Sequence, residues 1–187
     1  MKRQILHTRL ITAAAFAACT LLLTGCDSGQ DAASDATDGA TASAALPDGI
    51  ILDAAPEGAK SVSELKASAE EGDEVVVRVI VGGRMDPIVE GRASAIAIDA
   101  AVDNACTGDD DHCKTPWDYC CTPKEELNAN MATVQIVDEK GRVVAADLSE
   151  HFQPLSTLVV KGVVGPRPDA NVLPINASGI YVEPNTP

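Results

Sequence analysis

Apolar and polar positions change period twice along this chain. Val62, Leu65 and Ala69 are spaced by three and four, which predicts a short helix ending before Gly72. Ser61-Val62-Ser63-Glu64 reads as a capping box, with Ser61 at the cap and Glu64 reaching back to it. After Gly72 the period falls to two. Val75, Val77, Val79 and Val81 share one face of a strand, and Val76, Arg78 and Ile80 the other. Gly82-Gly83 predicts a bulge or sharp bend at its end. A second strand is expected over residues 93–99, with Ile96 and Ile98 on one face and small Ala residues on the other. A third is expected over 132–137, with Val134 and Ile136 inward and Thr133 and Gln135 outward. Residues 138–142 read as a turn from which Val143 and Val144 pair back, and 147–155 as a short helical or coiled connection. A fourth strand covers 158–164, and two last ones 171–175 and 178–182, with Pro174 at an edge or bulge.

Several short strands and one small helix predict a mostly β protein, either a barrel or a sandwich. The order of elements points to a five-stranded OB-like Greek-key barrel with a short N-terminal helix and a cysteine-rich loop insertion at about 100–130. The alternative, an immunoglobulin-like sandwich, wants about seven strands. Residues 72–83 and 158–164 look like the first and fourth strands of secreted bacterial OB-like domains. Asn176-Ala177-Ser178-Gly179-Ile180-Tyr181-Val182 resembles the final strand of an uncharacterised family of secreted bacterial proteins. That resemblance spans about residues 60–183. It implies a fold and no activity.

The N-terminus carries a different signal. Lys2, Arg3 and Arg9 precede and flank an apolar run over 11–23, which ends in Leu23-Thr24-Gly25-Cys26. A cationic head, an apolar segment and small residues before a cut site make a secretory signal peptide. The run is shorter than the ~20 residues that cross a bilayer. Leu23-Thr24-Gly25-Cys26 resembles the lipobox of bacterial lipoproteins. The resemblance implies cleavage before Cys26, acylation of its thiol, and a place in the bacterial cell envelope, periplasm-facing or surface-exposed. The expected organisation is a signal peptide over 1–25, lipidated Cys26 with an acidic tether over 26–48, and a barrel domain over 49–187. Nineteen of the 22 residues from 27 to 48 are Ala, Ser, Thr, Gly or Asp, too little apolar surface to offset ordering entropy.

The formal charge is −14. Loss of residues 1–25 removes three bases and no acid, leaving 28 acids, 11 bases and a charge of −17. Such a chain repels polyphosphate backbones and anionic headgroups. Its expected hold on a membrane is the lipid anchor alone.

Four cysteines remain after Cys26: Cys106, Cys113, Cys120 and Cys121, within 16 residues. In an oxidising compartment an even number reads first as two structural disulfides. A bond between neighbours Cys120 and Cys121 is strained. That leaves Cys106–Cys120 with Cys113–Cys121, or Cys106–Cys121 with Cys113–Cys120. On this reading there is no cofactor. The alternative is a zinc or copper site using these thiols and the imidazole of His112, although the spacing lacks the close pairs of structural zinc sites. Thiol redox chemistry is weaker still, because no Cys-x-x-Cys turn is present and nearby Asp residues oppose thiolate formation. Asp109-Asp110-Asp111 lacks the alternating ligands and glycine of a calcium loop.

Pro116-Trp117-Asp118-Tyr119 holds the only Trp and one of two Tyr. Trp117 is expected to lid the barrel; Trp117 and Tyr119 are also binding candidates, as are Arg84 and Arg92, which flank one bend. Few aromatics and strong negative charge argue against nucleic acid. No nucleophile or metalloprotease motif surrounds His112 or His151. The expectation is a non-catalytic, membrane-anchored binding module for a protein, glycan or small ligand; metal handling and thiol redox are the alternatives.

Overall fold

The computed structural model describes residues 44–107 and 112–184. The expected signal peptide, Cys26, the tether through residue 43 and Asp109-Asp110-Asp111 lie outside the described residues. Among the described residues no helix is long and apolar enough to cross a membrane.

Helix α1 spans Val62–Ser68. The Ser61 Oγ accepts a hydrogen bond from the Glu64 N–H at 3.1 Å, as the capping box requires. Strand β1, Glu74–Val81, buries Val75, Val77, Val79 and Val81 on its inner face. Strands β2 (Ser94–Asp99), β3 (Met131–Gln135), β4 (Thr157–Val164) and β5 (Pro174–Val182) complete a closed barrel in the order β1-β2-β3-β5-β4. All pairings are antiparallel except β3 with β5. This is the layout of a small OB-like barrel, and closure rules out the two-sheet sandwich.

The barrel interior is narrow, and β2 fits it by turning Ala95 and Ala97 inward; Ile98 is buried outside that central cluster. Val77, Val79, Leu158, Ile175 and Ile180 are completely buried. Each such side chain contributes about 1.5–3 kcal/mol by leaving water. Leu148 and Phe152 join the same core. They do so from a turn rather than a helix, so residues 147–155 take the coiled form of the expected connection.

Where two last strands were expected, one continuous strand is found. The pairing of β5 with β4 slips between Lys161 and Gly162, opposite Gly179 and Ala177, so that Ser178 is an extra residue. Inward positions change from odd (Ile175, Ala177) to even (Ile180), and this change of phase reads as a break. Gly162 permits it: a Cβ there would lie 2.4 Å from the Asn176 carbonyl oxygen. Pro174 sits at the first position of β5, where a strand tolerates it.

Two N-terminal segments seal gaps in the wall. Strand β3 pairs with β5 only from Pro174 to Asn176. Further along, the Leu52 N–H donates to the Ile180 carbonyl at 2.8 Å, and the Ile180 N–H donates to the Ile50 carbonyl at 2.7 Å. Strand β2 pairs with β1 only at Val79–Val81, and below this the Lys60 N–H donates to the Val76 carbonyl at 2.9 Å. Ahead of them the Ala44 N–H donates to the Ala145 carbonyl, and Leu46 packs on the core. The packed unit therefore takes in residues 44–48 as well.

Two side chains fix α1 to the barrel. The buried Asp99 accepts from the Val62 N–H through Oδ2 and from the Ala101 N–H through Oδ1. Arg167 donates to the carbonyls of Ala69, Lys66, Ala170 and Val172. It thereby caps the helix C-terminus.

Candidate metal centre and adjoining cavity

The insertion between β2 and β3 carries the chemistry. Two single-turn 3-10 segments, Ala105–Thr107 and Pro116–Asp118, and a short helix α2, Lys124–Asn130, give it form. Helix α2 was not expected: it has no fully buried residue and hence no apolar stripe. Asn104 joins the two 3-10 turns, accepting from the Cys106 N–H at 3.0 Å and donating to the Pro116 carbonyl at 2.8 Å. Tyr119 adopts φ 56°, a left-handed conformation that folds Cys120 back toward Cys106.

Gly82-Gly83 is where this insertion meets the barrel. The Gly83 N–H donates to the Trp117 carbonyl at 2.8 Å, and Trp117 Nε1 donates to the Met85 carbonyl at 2.9 Å. A Cβ on Gly82 would lie 2.5 Å from the Trp117 carbonyl oxygen. The glycine pair thus serves close approach as well as the bend. Trp117 is only half-buried and clamps the insertion to the β1–β2 loop. The fully buried aromatic is Tyr119, so it is Tyr119 that supplies the apolar body expected of Trp117.

The cysteines converge on one point. The Cys120 Sγ stands 3.5 Å from the Cys106 Sγ, 3.5 Å from the Cys113 Sγ and 3.8 Å from the Cys121 Sγ. The Cys121 N–H donates to the Cys106 Sγ at 3.4 Å. No disulfide links the four. The sulfurs are not bonded in pairs; the Cys120 sulfur stands near all three others. A tetrahedral zinc with Zn–S bonds of about 2.3 Å holds its sulfurs ~3.8 Å apart, close to the spacings found.

The ligand atoms of Cys106, Cys113, Asp118 and Cys120 all lie within 4.8 Å of one another, a group able to hold a metal ion. Asp118 takes the place expected for His112, which is exposed and outside this group. The Asp118 carboxylate is already oriented: Oδ1 accepts from the Cys120 N–H at 2.9 Å and Oδ2 from the Thr115 hydroxyl at 3.0 Å. Burial pushes the Cys106 thiol up, but hydrogen bonds from Cys121, Cys120 and Cys113 outweigh it and hold that thiol below its usual range. The hydrogen bond with Cys106, then those with Cys113 and Cys121, push Cys120 upward. The thiols therefore titrate as one coupled set.

Beside the cluster lies a cavity of about 480 Å³, whose wall includes Asp118 and Cys120. Met85, Leu127 and Met131 supply apolar wall and Arg84 and Lys124 positive charge, and Tyr119, Thr122 and Asn128 also line it. The Tyr119 and Thr122 hydroxyl oxygens are buried and have no hydrogen-bond partner among the described residues. Burial and then the nearby Cys106 charge push the Tyr119 phenol up, so it remains a donor. Of the expected binding candidates, Tyr119 and Arg84 line this cavity. Trp117 and Arg92 do not; Arg92 is exposed in the turn closed by its N–H to the Val89 carbonyl. Thr122, Lys124 and the two methionines had no signal in the sequence beyond their place near the cysteines.

Comparison with protein families, curated proteins and solved structures finds no match.

Proposed function

We propose that this chain is a lipid-anchored envelope protein whose barrel displays a zinc-stapled binding module. The observation that carries the metal is the position of the Cys120 sulfur, 3.5 Å from two other cysteine sulfurs with a carboxylate inside the same group. Cys106, Cys113, Cys120 and Asp118 supply three soft donors and one hard one. That mixture suits zinc, whereas monovalent copper favours sulfur alone. With four protein ligands the metal's role is structural: it holds the turns of the insertion against one another and so shapes the cavity wall. The module is non-catalytic in this reading. The anchor rests on Leu23-Thr24-Gly25-Cys26 and the cationic, apolar segment ahead of it.

The test is metal analysis, thiol counting and intact mass on the full chain extracted from membranes in detergent. One zinc per chain, lost in Cys113→Ser, is the expected result. Two disulfides with no zinc would replace the metal by crosslinks as the staple. Labelled palmitate should appear on the chain in growing cells and vanish in Cys26→Ser. Its absence from the wild type would remove the anchor.

A further inference from the structure

We infer that the cysteine cluster is also an oxidation site, where a peroxide joins Cys121 to Cys106 and so expels the metal; the expulsion rests on the zinc reading above. Five donor side chains meet where a tetrahedral ion takes four. Cys106, Cys113, Cys120 and Asp118 form the group able to hold the ion, and Cys121 lies outside that group. Cys121 is exposed, and its sulfur stands 3.8 Å from that of Cys120. With zinc on the other three sulfurs, Cys121 is the exposed thiol that a dissolved oxidant meets.

The backbone selects its partner. The Cys121 N–H donates to the Cys106 Sγ at 3.4 Å, so the Cys121 side chain branches from the atom next to one already touching that sulfur. The two side chains are hydrogen-bonded as well. A bond from Cys121 to its neighbour Cys120 is strained. The Cys106 and Cys120 sulfurs are 3.5 Å apart, but both are ligands of the one ion.

The chemistry needs no cofactor beyond the peroxide. The Cys121 sulfur attacks one peroxide oxygen: the S–O bond forms, the O–O bond breaks, and the leaving hydroxide takes the thiol proton as water. The Cys106 sulfur then attacks the Cys121 sulfur: the S–S bond forms, the S–O bond breaks, and the hydroxide leaves as water with a proton from solvent. Two electrons pass from the sulfurs to the peroxide. Cys106 then no longer offers an anionic sulfur, and Cys113, Cys120 and Asp118 alone hold zinc weakly. Asp118 and Cys120 also form wall of the adjoining cavity, so loss of the ion loosens that wall.

The full chain in detergent micelles, loaded with zinc, is treated with hydrogen peroxide. A metallochromic dye follows zinc release, and intact mass and disulfide mapping identify the product. The wild type should release its zinc, lose two hydrogens and carry a Cys106–Cys121 disulfide, and a dithiol with added zinc should reverse all three. Cys121→Ser, a near-isosteric change at an exposed position, should keep its zinc when reduced and release it roughly tenfold more slowly under peroxide. Release from that variant at the wild-type rate would overturn the inference. So would a map in which Cys121 stays reduced or joins another cysteine. Loss of zinc from the reduced variant would make Cys121 a ligand and overturn it too. A reduced wild type that binds no zinc would refute the metal reading instead, and the disulfide map of the same chain would still decide the pairing.

Discussion

Asp99→Ala removes the tie between the end of β2 and the start of α1. In the wild type, the two carboxylate oxygens of Asp99 accept the N–H groups of Val62 and Ala101, and Asp99 is 4% exposed. The Val62 N–H is one of the orphan donors of a helix start, and Val62 is fully buried, so water cannot replace the lost acceptor. A hydrogen bond to a charged group contributes about 1.5–3 kcal/mol, and an orphaned buried donor adds its own desolvation cost. Asp99→Ala should therefore cost about 3–4 kcal/mol and lower the thermal midpoint by on the order of 10 °C. Asp99→Asn keeps one carbonyl acceptor but turns an amide donor toward an N–H, for a cost of about 2 kcal/mol. The local cap gives an internal scale: Ser61→Ala loses one exposed bond, to the Glu64 N–H, and about 1 kcal/mol. Urea unfolding at pH 7 with an unchanged m-value measures all three. An Asp99→Ala cost no larger than that of Ser61→Ala would refute the claim that the distant carboxylate, more than the local cap, starts this helix.

Arg167→Ala should cost about 2–4 kcal/mol, since four carbonyls lose a charged donor, and lysine should restore less than half because it lacks the planar fork; urea midpoints decide. Gly82→Ala should cost about 2–3 kcal/mol, because its Cβ would meet a backbone oxygen at 2.5 Å, and the emission of Trp117, the only Trp, should move to the red as the insertion lifts. The hydrogen bonds from Arg78 hold the Glu183 carboxyl below the usual carboxylate range. A folded-state pKa below the unfolded one stabilises above the unfolded value, near 4.3, and the gain is lost as pH falls through the folded value. Glu183→Gln should thus lose about 0.5–1 kcal/mol at pH 7 and match the wild type in strong acid, as paired urea curves would show.

The parts of the fold legible in the sequence were those with a local cause. Alternating valines specified β1, and Ser61 with Glu64 specified the start of α1, because the stabilising partners lie within a few residues. What escaped was set at long range. The phase change at Ser178 depends on Gly162 across the pairing with β4, and nothing near Ser178 announces it. Helix α2 is exposed on most of its surface and leaves no hydrophobic period. The cysteines were recognisable as a functional group, but not the fourth member of their cluster. His112 adjoins Cys113 in sequence, yet the left-handed turn at Tyr119 brings Asp118 and Cys120 to the other sulfurs instead. Tyr119 and Thr122 could be named as residues near the site, whereas their lack of partners exists only in three dimensions.

The segment at Ile50–Leu52 has a mechanical meaning. It runs parallel to β5 and is stitched to Ile180 on either side, with Ala44 fastened to Ala145 ahead of it. Tension arriving from the amino end would have to slide this seam lengthwise, breaking its hydrogen bonds together, before it could disturb the interior. Such a pull is thus borne by the wall, and the cysteine-bearing insertion is spared the strain.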